Sequence, residues 1–410
     1  MAAAEEYGEQ VSSEAAADPV VLIDFGGHPF TADLAISLQR SGASVHYIFS
    51  SSNESNPHGD FSDAAKEGVN VHDIDLGRPV DQTQLRRRFR NEQYFGWSVA
   101  KLIRQLPVTA TIILCQVPVA AAVVVQGAAK ARGQNVILWL QEIQSDLSAI
   151  PGTRALPAKV FTTLERRMVS SADRVIAISE GFADYAAANR KSGRAGVTVL
   201  PNWAPLRYLP NRHRINEWST DQGLHPDRQR VLYSGRLGLE HRPDEIAALA
   251  LMLTANGDID MVIVAGGPGV ESLRSRPELV SHPNIHFIEL QPLSALADVL
   301  SSADILLGTL DDRATEALVP SKILSYLCAA KPVVALMNSH NPSAQLIEEV
   351  GAGVAVADIH SAATVIRELL EDPDRRRKMG NLGRAYASTT FNPTTVATSF
   401  AEAAGIDLGS

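Results

Sequence analysis

The stretch VPSKILSYLCAAKPVVA, Val319 to Ala335, carries one cation where a turn becomes a helix. Pro320, Ser321 and Lys322 open that helix. Ile323, Leu324 and Leu327 fall at helical spacing, and Pro332 stops it before the apolar run Val333–Ala335. A helix N-terminus offers unpaired backbone N–H groups and the positive end of a dipole, which together suit a phosphate. Lys322 adds a full charge at that end. In a purely structural helix the charge is mildly unfavourable, and an anion removes the penalty. The alternative reading is a solvated lysine on a surface helix.

A second cation stands at Arg236, at the carboxyl end of the strand-like run closing on Ser234-Gly235-Arg236. His241 and Arg242 follow one short loop later. An arginine fork matches diphosphate oxygens; the competing reading is a salt bridge to Glu240 or Asp244. Gly26-Gly27-His28-Pro29 lies between the first strand and its helix, where two glycines let a phosphate or sugar approach the backbone and Pro29 fits the first helical position. His28 by itself reads as a capping or solvated residue. The loop is not a full G-x-G-x-x-G, and no acidic residue ends the second strand, so NAD binding is poorly supported. Gln291-Pro292, after the run IHFIEL, can offer main-chain contacts to a base, and Ala265–Gly269 is a further glycine loop.

Gln141 and Glu142 emerge from the run NVILWL, where an acceptor hydroxyl or a developing positive charge can lie. A carboxylate there accepts a proton or stabilises a cationic sugar; a helix-capping pair is the alternative. Asp73 and Asp75 form an Asp-x-Asp, but the segment VNVHDIDLG alternates as a solvated edge strand does. No His/Cys/Glu cluster has metal-ligand spacing and no Ser-His-Asp set is visible, so no metal or cofactor is expected.

These residues sit on an alternation of strands and helices. Val20–Phe25, Ser44–Ser50, and the runs at 111–115, 135–140, 174–178 and 197–200 read as strands of a parallel, doubly wound sheet. From Pro201 to Arg228 the periodicity fails in a proline-rich linker. RVLYSG, MVIVAG, IHFIE, DILLG and PVVALM then restart it. The expected architecture is α/β: a tail over 1–18, a Rossmann-like domain over 19–200, a linker over 201–228, a second Rossmann-like domain over 229–390, and a final helix within 391–410 that crosses back. Ligands in such sheets bind beyond the carboxyl ends of the strands, here in a cleft between two Rossmann-like halves.

The 410 residues, 45% hydrophobic, suffice for two or three domains. A net charge of −9 excludes a nucleic-acid footprint over the whole surface, and an anionic ligand must be held by local cations and helix ends. Cys115 and Cys328, both in apolar segments, point to a reducing compartment and against a disulfide framework. The Ala/Glu/Ser-rich first 18 residues read as a disordered tail rather than a signal peptide, and no apolar run reaches membrane-span length. The expected location is the cytoplasm. Leu85–Leu106 is basic and aromatic: it reads equally as a packed helix with a cationic exterior or as a segment lying on an anionic membrane face.

Taken together, GGHPFTADLA, VILWLQEIQSD, SADRVIAISEGF, LPNWAPLRYLP, VLYSGRLGLEHRPD and PSKILSYLCAAKPVV resemble the GT-B glycosyltransferases of retaining family 4, in the subgroup that builds bacterial surface polysaccharides such as colanic acid and O-antigen. The resemblance implies a nucleotide-diphosphate sugar held mainly by the second half and an acceptor held by the first. It places Arg236 at the family's G-R arginine, Lys322 at the PSK lysine near the diphosphate, and His241 or Arg242 where the family has a lysine. Many relatives carry two glutamates eight positions apart. Here Ala317 and Ser325 occupy those places, with Glu316 one residue off, and Gln141 replaces the family's N-domain histidine.

The expected function is transfer of a hexose-type sugar from a UDP- or GDP-sugar to a hydroxyl, with retention and without a metal. Catalysis is assigned to Glu142 and Gln141; donor binding to Gly26, Gly27, Arg236, Arg242, Gln291, Glu316, Ser321, Lys322 and Ser325. The acceptor is a lipid-linked saccharide at the inner membrane face if 85–106 touches membrane, or a soluble molecule if it does not. Two rivals stay open: a 2-epimerase of the same fold, and an inactive nucleotide-sugar-binding subunit.

Overall fold

The computed structural model describes residues 18–52, 61–77, 85–143, 158–238, 241–311 and 321–408. Glu316 and Ala317 lie outside them.

Two all-parallel sheets organise these residues. The first is built from β1 (Val20–Asp24), β2 (Val45–Phe49), β3 (Asn70–Asp73), β4 (Thr111–Leu114), β5 (Asn135–Leu140), β6 (Arg174–Ala177) and β7 (Val197–Val199). Its order, β3-β2-β1-β4-β5-β6-β7, places the switch of direction at β1 and β4. Strands β1, β4 and β5 are buried almost along their whole length, which is why they read as continuous apolar runs rather than alternations. Helices α1 (Pro29–Arg40), α2 (Phe61–Lys66), α3 (Leu85–Ile103), α4 (Val119–Ala131), α5 (Ala158–Ser171) and α6 (Glu180–Ala188) connect them. Strand β3 is an edge strand, and its Asp73 takes the Ser51 N–H and hydroxyl at 2.9 and 2.6 Å while Asp75 takes the Gly77 N–H. Both carboxylates therefore serve turns.

The second sheet, order β10-β9-β8-β11-β12-β13, comprises β8 (Gln229–Arg236), β9 (Ile259–Gly266), β10 (Ile285–Ile288), β11 (Ile305–Thr309), β12 (Val333–Leu336) and β13 (Gly353–Val356). Its helices run from α7 (Glu217–Asp221) through α8 (Pro243–Thr254), α9 (Pro268–Arg274), α10 (Pro277–Val280), α11 (Leu293–Ser301), α12 (Ser321–Cys328), α13 (Pro342–Glu349) and α14 (Ile359–Glu371) to α15 (Pro373–Thr390).

The last helix, α16 (Pro393–Ala404), packs on α1. Its Phe400 meets Trp139 of β5 edge to face at 5.0 Å, and Trp139 stacks on Trp203 of the linker at 5.1 Å. Three distant segments thus share one aromatic core. The linker is also pinned by charge. Arg207 lies 3.3 Å from Asp33 of α1, and burial, only partly offset by Arg207 and Arg40, raises the Asp33 carboxyl to about 6.

Candidate active site

At the carboxyl end of β8 the chain turns through Gly235, whose φ of +121° favours glycine, and delivers Arg236 to the surface. The Arg236 guanidinium has no hydrogen-bond or ion-pair partner among the described residues. Beside it, Lys322 enters from the first turn of α12. Its Nζ lies 3.2 Å from the Arg236 carbonyl oxygen, donates to the Tyr233 hydroxyl and sits 4.2 Å from that ring's centroid. The buried Tyr233 hydroxyl donates in turn to the Arg236 carbonyl at 2.9 Å. Two cations from segments about 85 residues apart therefore share one strand end.

Tyr326 holds α12 in that position. Its buried hydroxyl accepts the Ser234 N–H at 2.9 Å and reaches the Ser234 and Leu307 carbonyls at 3.1 and 3.3 Å, so one side chain ties α12 to β8 and β11. Ser321 is exposed at the helix start, and Ser325 is half-buried one turn on, on the same face. The glycine loop after β9 packs against the turn after β8. Gly269 N donates to the Leu237 carbonyl at 2.8 Å, and a Cβ on Gly267 would stand 3.0 Å from that oxygen and 3.6 Å from Arg236 Cγ.

His241 and Arg242 separate. The His241 ring is buried, and the Gly238 N–H donates to its Nδ1 at 3.0 Å, which places the ring proton on Nε2. Burial first, then the charges of Lys322 and Arg236, push the imidazole down to about 3, so it is neutral at pH 7. Arg242 adopts a left-handed backbone, φ +56°, and turns its guanidinium to Glu245 at 2.7 Å. The local salt bridge weighed from the sequence is made to Glu245; Asp244 pairs with Arg276, and Glu240 lies outside the described residues. Gln291 follows β10, two strands from Arg236, and its amide is engaged by Trp218 Nε1 at 3.2 Å and by the Glu289 carbonyl at 2.8 Å.

In the first sheet, Gly26 and Gly27 turn tightly over Asp24. The fully buried Asp24 carboxylate accepts the Gly26 N–H at 3.1 Å, the His28 N–H at 2.7 Å and His28 Nδ1 at 2.7 Å. Gly26 has no room for a side chain, because a Cβ there would lie 2.4 Å from the His28 ring. Burial opposes the charge on both partners. The ion pair wins: Asp24 is held below the usual carboxylate range and His28 above the usual imidazole range, with Glu142 adding to the His28 effect. Asp24 and its grip on His28 are invisible to a reading of the glycines alone; the available signal is the lone acid ending the apolar strand VVLID.

Glu142 and Gln141 follow β5. Together with Cys115, Gln116 and Trp139 they line a small cavity at the ends of β4 and β5. Gln141 is 7% exposed, and its Oε1 accepts from Gln116 Nε2 at 3.2 Å and Asn202 Nδ2 at 3.5 Å, which links the cavity wall to the linker. The structure thus groups Arg236, Lys322, Ser321, Ser325 and His241 at one sheet end, and Gly26, Gly27, His28, Gln141 and Glu142 at the other. Among the described residues no three His, Cys, Asp or Glu side chains are placed to share a metal ion.

Two doubly wound parallel sheets with polar groups at their carboxyl ends define a GT-B glycosyltransferase architecture. Residues 25–203 match the glycosyl transferase 4-like domain and residues 214–386 match glycosyl transferases group 1, so the chain belongs to the group 1 glycosyltransferases of GT-B fold. The proposed colanic acid biosynthesis glycosyl transferase WcaI of Escherichia coli K12 is 24% identical over 283 residues, covering 66% of this chain and 68% of that protein. Among solved structures, the sucrose-phosphate synthase of Thermosynechococcus elongatus superposes with a TM-score of 0.70 at 16% identity, over 94% of this chain and 98% of that one. HepE of Anabaena, solved with UDP and glucose, gives 0.69 at 16% identity over 93% and 98%.

Proposed function

We propose that this enzyme transfers a hexose-type sugar from a UDP- or GDP-sugar to a hydroxyl, retaining the anomeric configuration and requiring no metal. The observation that carries the reading is the convergence of Lys322 and Arg236 on the end of β8, with Lys322 Nζ 3.2 Å from the Arg236 carbonyl. Two cations and the N–H groups of the α12 N-terminus suit the two phosphates of such a donor. HepE supports the same donor class through its bound UDP and glucose.

In this mechanism the bond from the anomeric carbon to the diphosphate oxygen breaks, and its electron pair leaves with the diphosphate. Arg236, Lys322 and the α12 amides stabilise that charge as it develops, which is the work a metal does elsewhere. His241, held neutral, contributes a hydrogen-bond donor rather than a third charge. Ser325 takes a sugar or ribose hydroxyl where many relatives have a carboxylate. The acceptor hydroxyl lies against Gln141 and Glu142 and attacks on the face the diphosphate leaves, and Glu142 takes its proton. Gly26 and Gly27 let the donor approach the α1 N-terminus, while Gln291 meets the base. Arg242, bound to Glu245, shapes the turn beside the phosphates. A lipid-linked saccharide at the cytoplasmic membrane face is the acceptor class proposed.

Incubation with UDP- and GDP-sugars and a lipid-linked acceptor, with the product's anomeric configuration read by NMR, tests this. The expected result is a glycoside of the donor's own configuration, formed equally well in EDTA. Free epimerised sugar, or nucleotide binding with no turnover on any donor, contradicts it.

A further inference from the structure

Helices α3, α4 and α5 are the crossovers β3→β4, β4→β5 and β5→β6, all running the same way across the sheet, so right-handed connections put them on one side of it. Helix α4 packs against both neighbours. This layer is unusual in its charge. Residues 85–110 contain one acid, Glu92, which is buried against Arg88 at 2.8 Å. Residues 119–134 contain none. In 158–172 the one acid is Glu165, buried and accepting the Tyr185 hydroxyl at 3.0 Å.

The cations point the other way. Arg90, Lys101 and Arg104 are exposed at the α3 end of the layer, and Lys159, Arg166 and Arg167 on α5. None of the six has an ion-pair partner among the described residues. Lys130 on α4, by contrast, is paired with Asp173. The patch ends at α6, where Glu180 and Asp184 take Arg194. In a chain of net charge −9, a face of six unpaired cations is a concentrated exception.

The same face holds the exposed aromatics. Arg90, Tyr94, Trp97 and Lys101 recur at spacings of four, three and four, which makes one outward stripe of α3. Tyr94 is 56% and Trp97 59% exposed. Val108, just beyond α3, and Val160 on α5 add aliphatic surface. Rings with polar edges flanked by long cationic side chains are the composition that settles at a lipid headgroup boundary. A soluble polyanion satisfies the cations but gives Trp97 and Tyr94 no apolar phase to enter.

We infer that the outer face of α3, α4 and α5 is a docking surface for an anionic lipid bilayer, with Trp97 and Tyr94 entering the headgroup layer and the six cations lying over it. No helix of the described residues is long and apolar enough to cross a membrane, so this contact is peripheral. The inference rests on the sugar-transfer reading only for its consequence, that the acceptor is delivered from the bilayer.

Co-sedimentation with vesicles of phosphatidylcholine alone, and of phosphatidylcholine and phosphatidylglycerol in equal parts, tests it on the full chain. Each cation near such a surface strengthens binding about fivefold. The triple variant Arg90→Ser, Lys101→Ser, Arg104→Ser is therefore expected to bind anionic vesicles about 100-fold more weakly, and Trp97→Ser to weaken binding while leaving its salt dependence in place. All these positions are solvent-facing, and UDP binding by each variant, measured alongside, is expected to match the parent and reports that the fold is intact. Equal binding to both vesicle types overturns the proposal, as does vesicle binding unchanged in the triple variant. Self-association abolished by Trp97→Ser, without vesicle binding, assigns the face to a second copy and also overturns it. Vesicle binding that follows the prediction in a chain that fails to bind UDP upholds this surface and removes the donor reading instead.

Discussion

Arg236 and Arg242 stand six residues apart and do opposite things. Arg236 leaves its strand with no acceptor for its fork among the described residues, whereas Arg242, forced to φ +56° at the start of α8, folds back on Glu245. His241, next to Arg242 in sequence, is buried within the field of Lys322 and Arg236. Its imidazole is lowered to about 3, below the ordinary 6.5 it has in the unfolded chain. The folded state therefore binds fewer protons, so the stabilisation is complete above pH 6.5 and is lost as pH falls toward 3. For one group the loss between pH 7 and pH 4 is about 3 kcal/mol. Urea unfolding across that range should show His241→Gln with an acid limb flatter by about that amount; an identical limb in parent and variant would mean the ring is not held neutral. The two cations were legible in the sequence because each follows a strand–turn or turn–helix signal directly. The divergence of His241 from Arg242 was not, since it depends on one left-handed residue. Nor was the Asp24–His28 pair, which forms only because Gly26 and Gly27 fold the backbone over the carboxylate.

At the scale of elements, the site depends on how α12 is seated on the sheet. Tyr326 is the clamp, its hydroxyl shared between Ser234 of β8 and Leu307 of β11. Tyr326→Phe leaves those backbone groups buried with one partner fewer, which costs about 1–3 kcal/mol. It should also weaken UDP binding by loosening Lys322, with the ring packing untouched. Chemical denaturation together with a UDP titration checks both, and a variant that loses stability but binds UDP as before would detach Tyr326 from the site. The buried strands of both sheets could be read from their apolar runs, since a parallel sheet covered on both faces has no alternation to hide; β3 could be read from its alternation, and β13, four residues and mostly half-buried, could not be read. Placement of α12 against β8 could not, because it is set by a tyrosine whose hydroxyl partners, Ser234 and Leu307, lie in other strands.

In the whole molecule the two sheets are joined by more than the linker. Trp139, Trp203 and Phe400 bring a strand, the linker and the last helix into one aromatic cluster, and Asn202 reaches from the linker to Gln141 at the cavity wall. The end of β5 is thus tied to the linker and the last helix, a coupling that suits the proposed transfer, which must exclude water. A net charge of −9 gives no general attraction for the proposed anionic donor, so in this reading its binding rests on the local pair at β8. Calorimetric titration of UDP into the parent, Arg236→Ala, Lys322→Ala and the double variant tests that most directly. Charge-assisted contacts of about 1.5–3 kcal/mol predict a loss of about 10- to 100-fold in each single variant. The double variant should lose less than the product of the two, because both cations act on one diphosphate. Single variants that bind UDP as tightly as the parent would contradict the account.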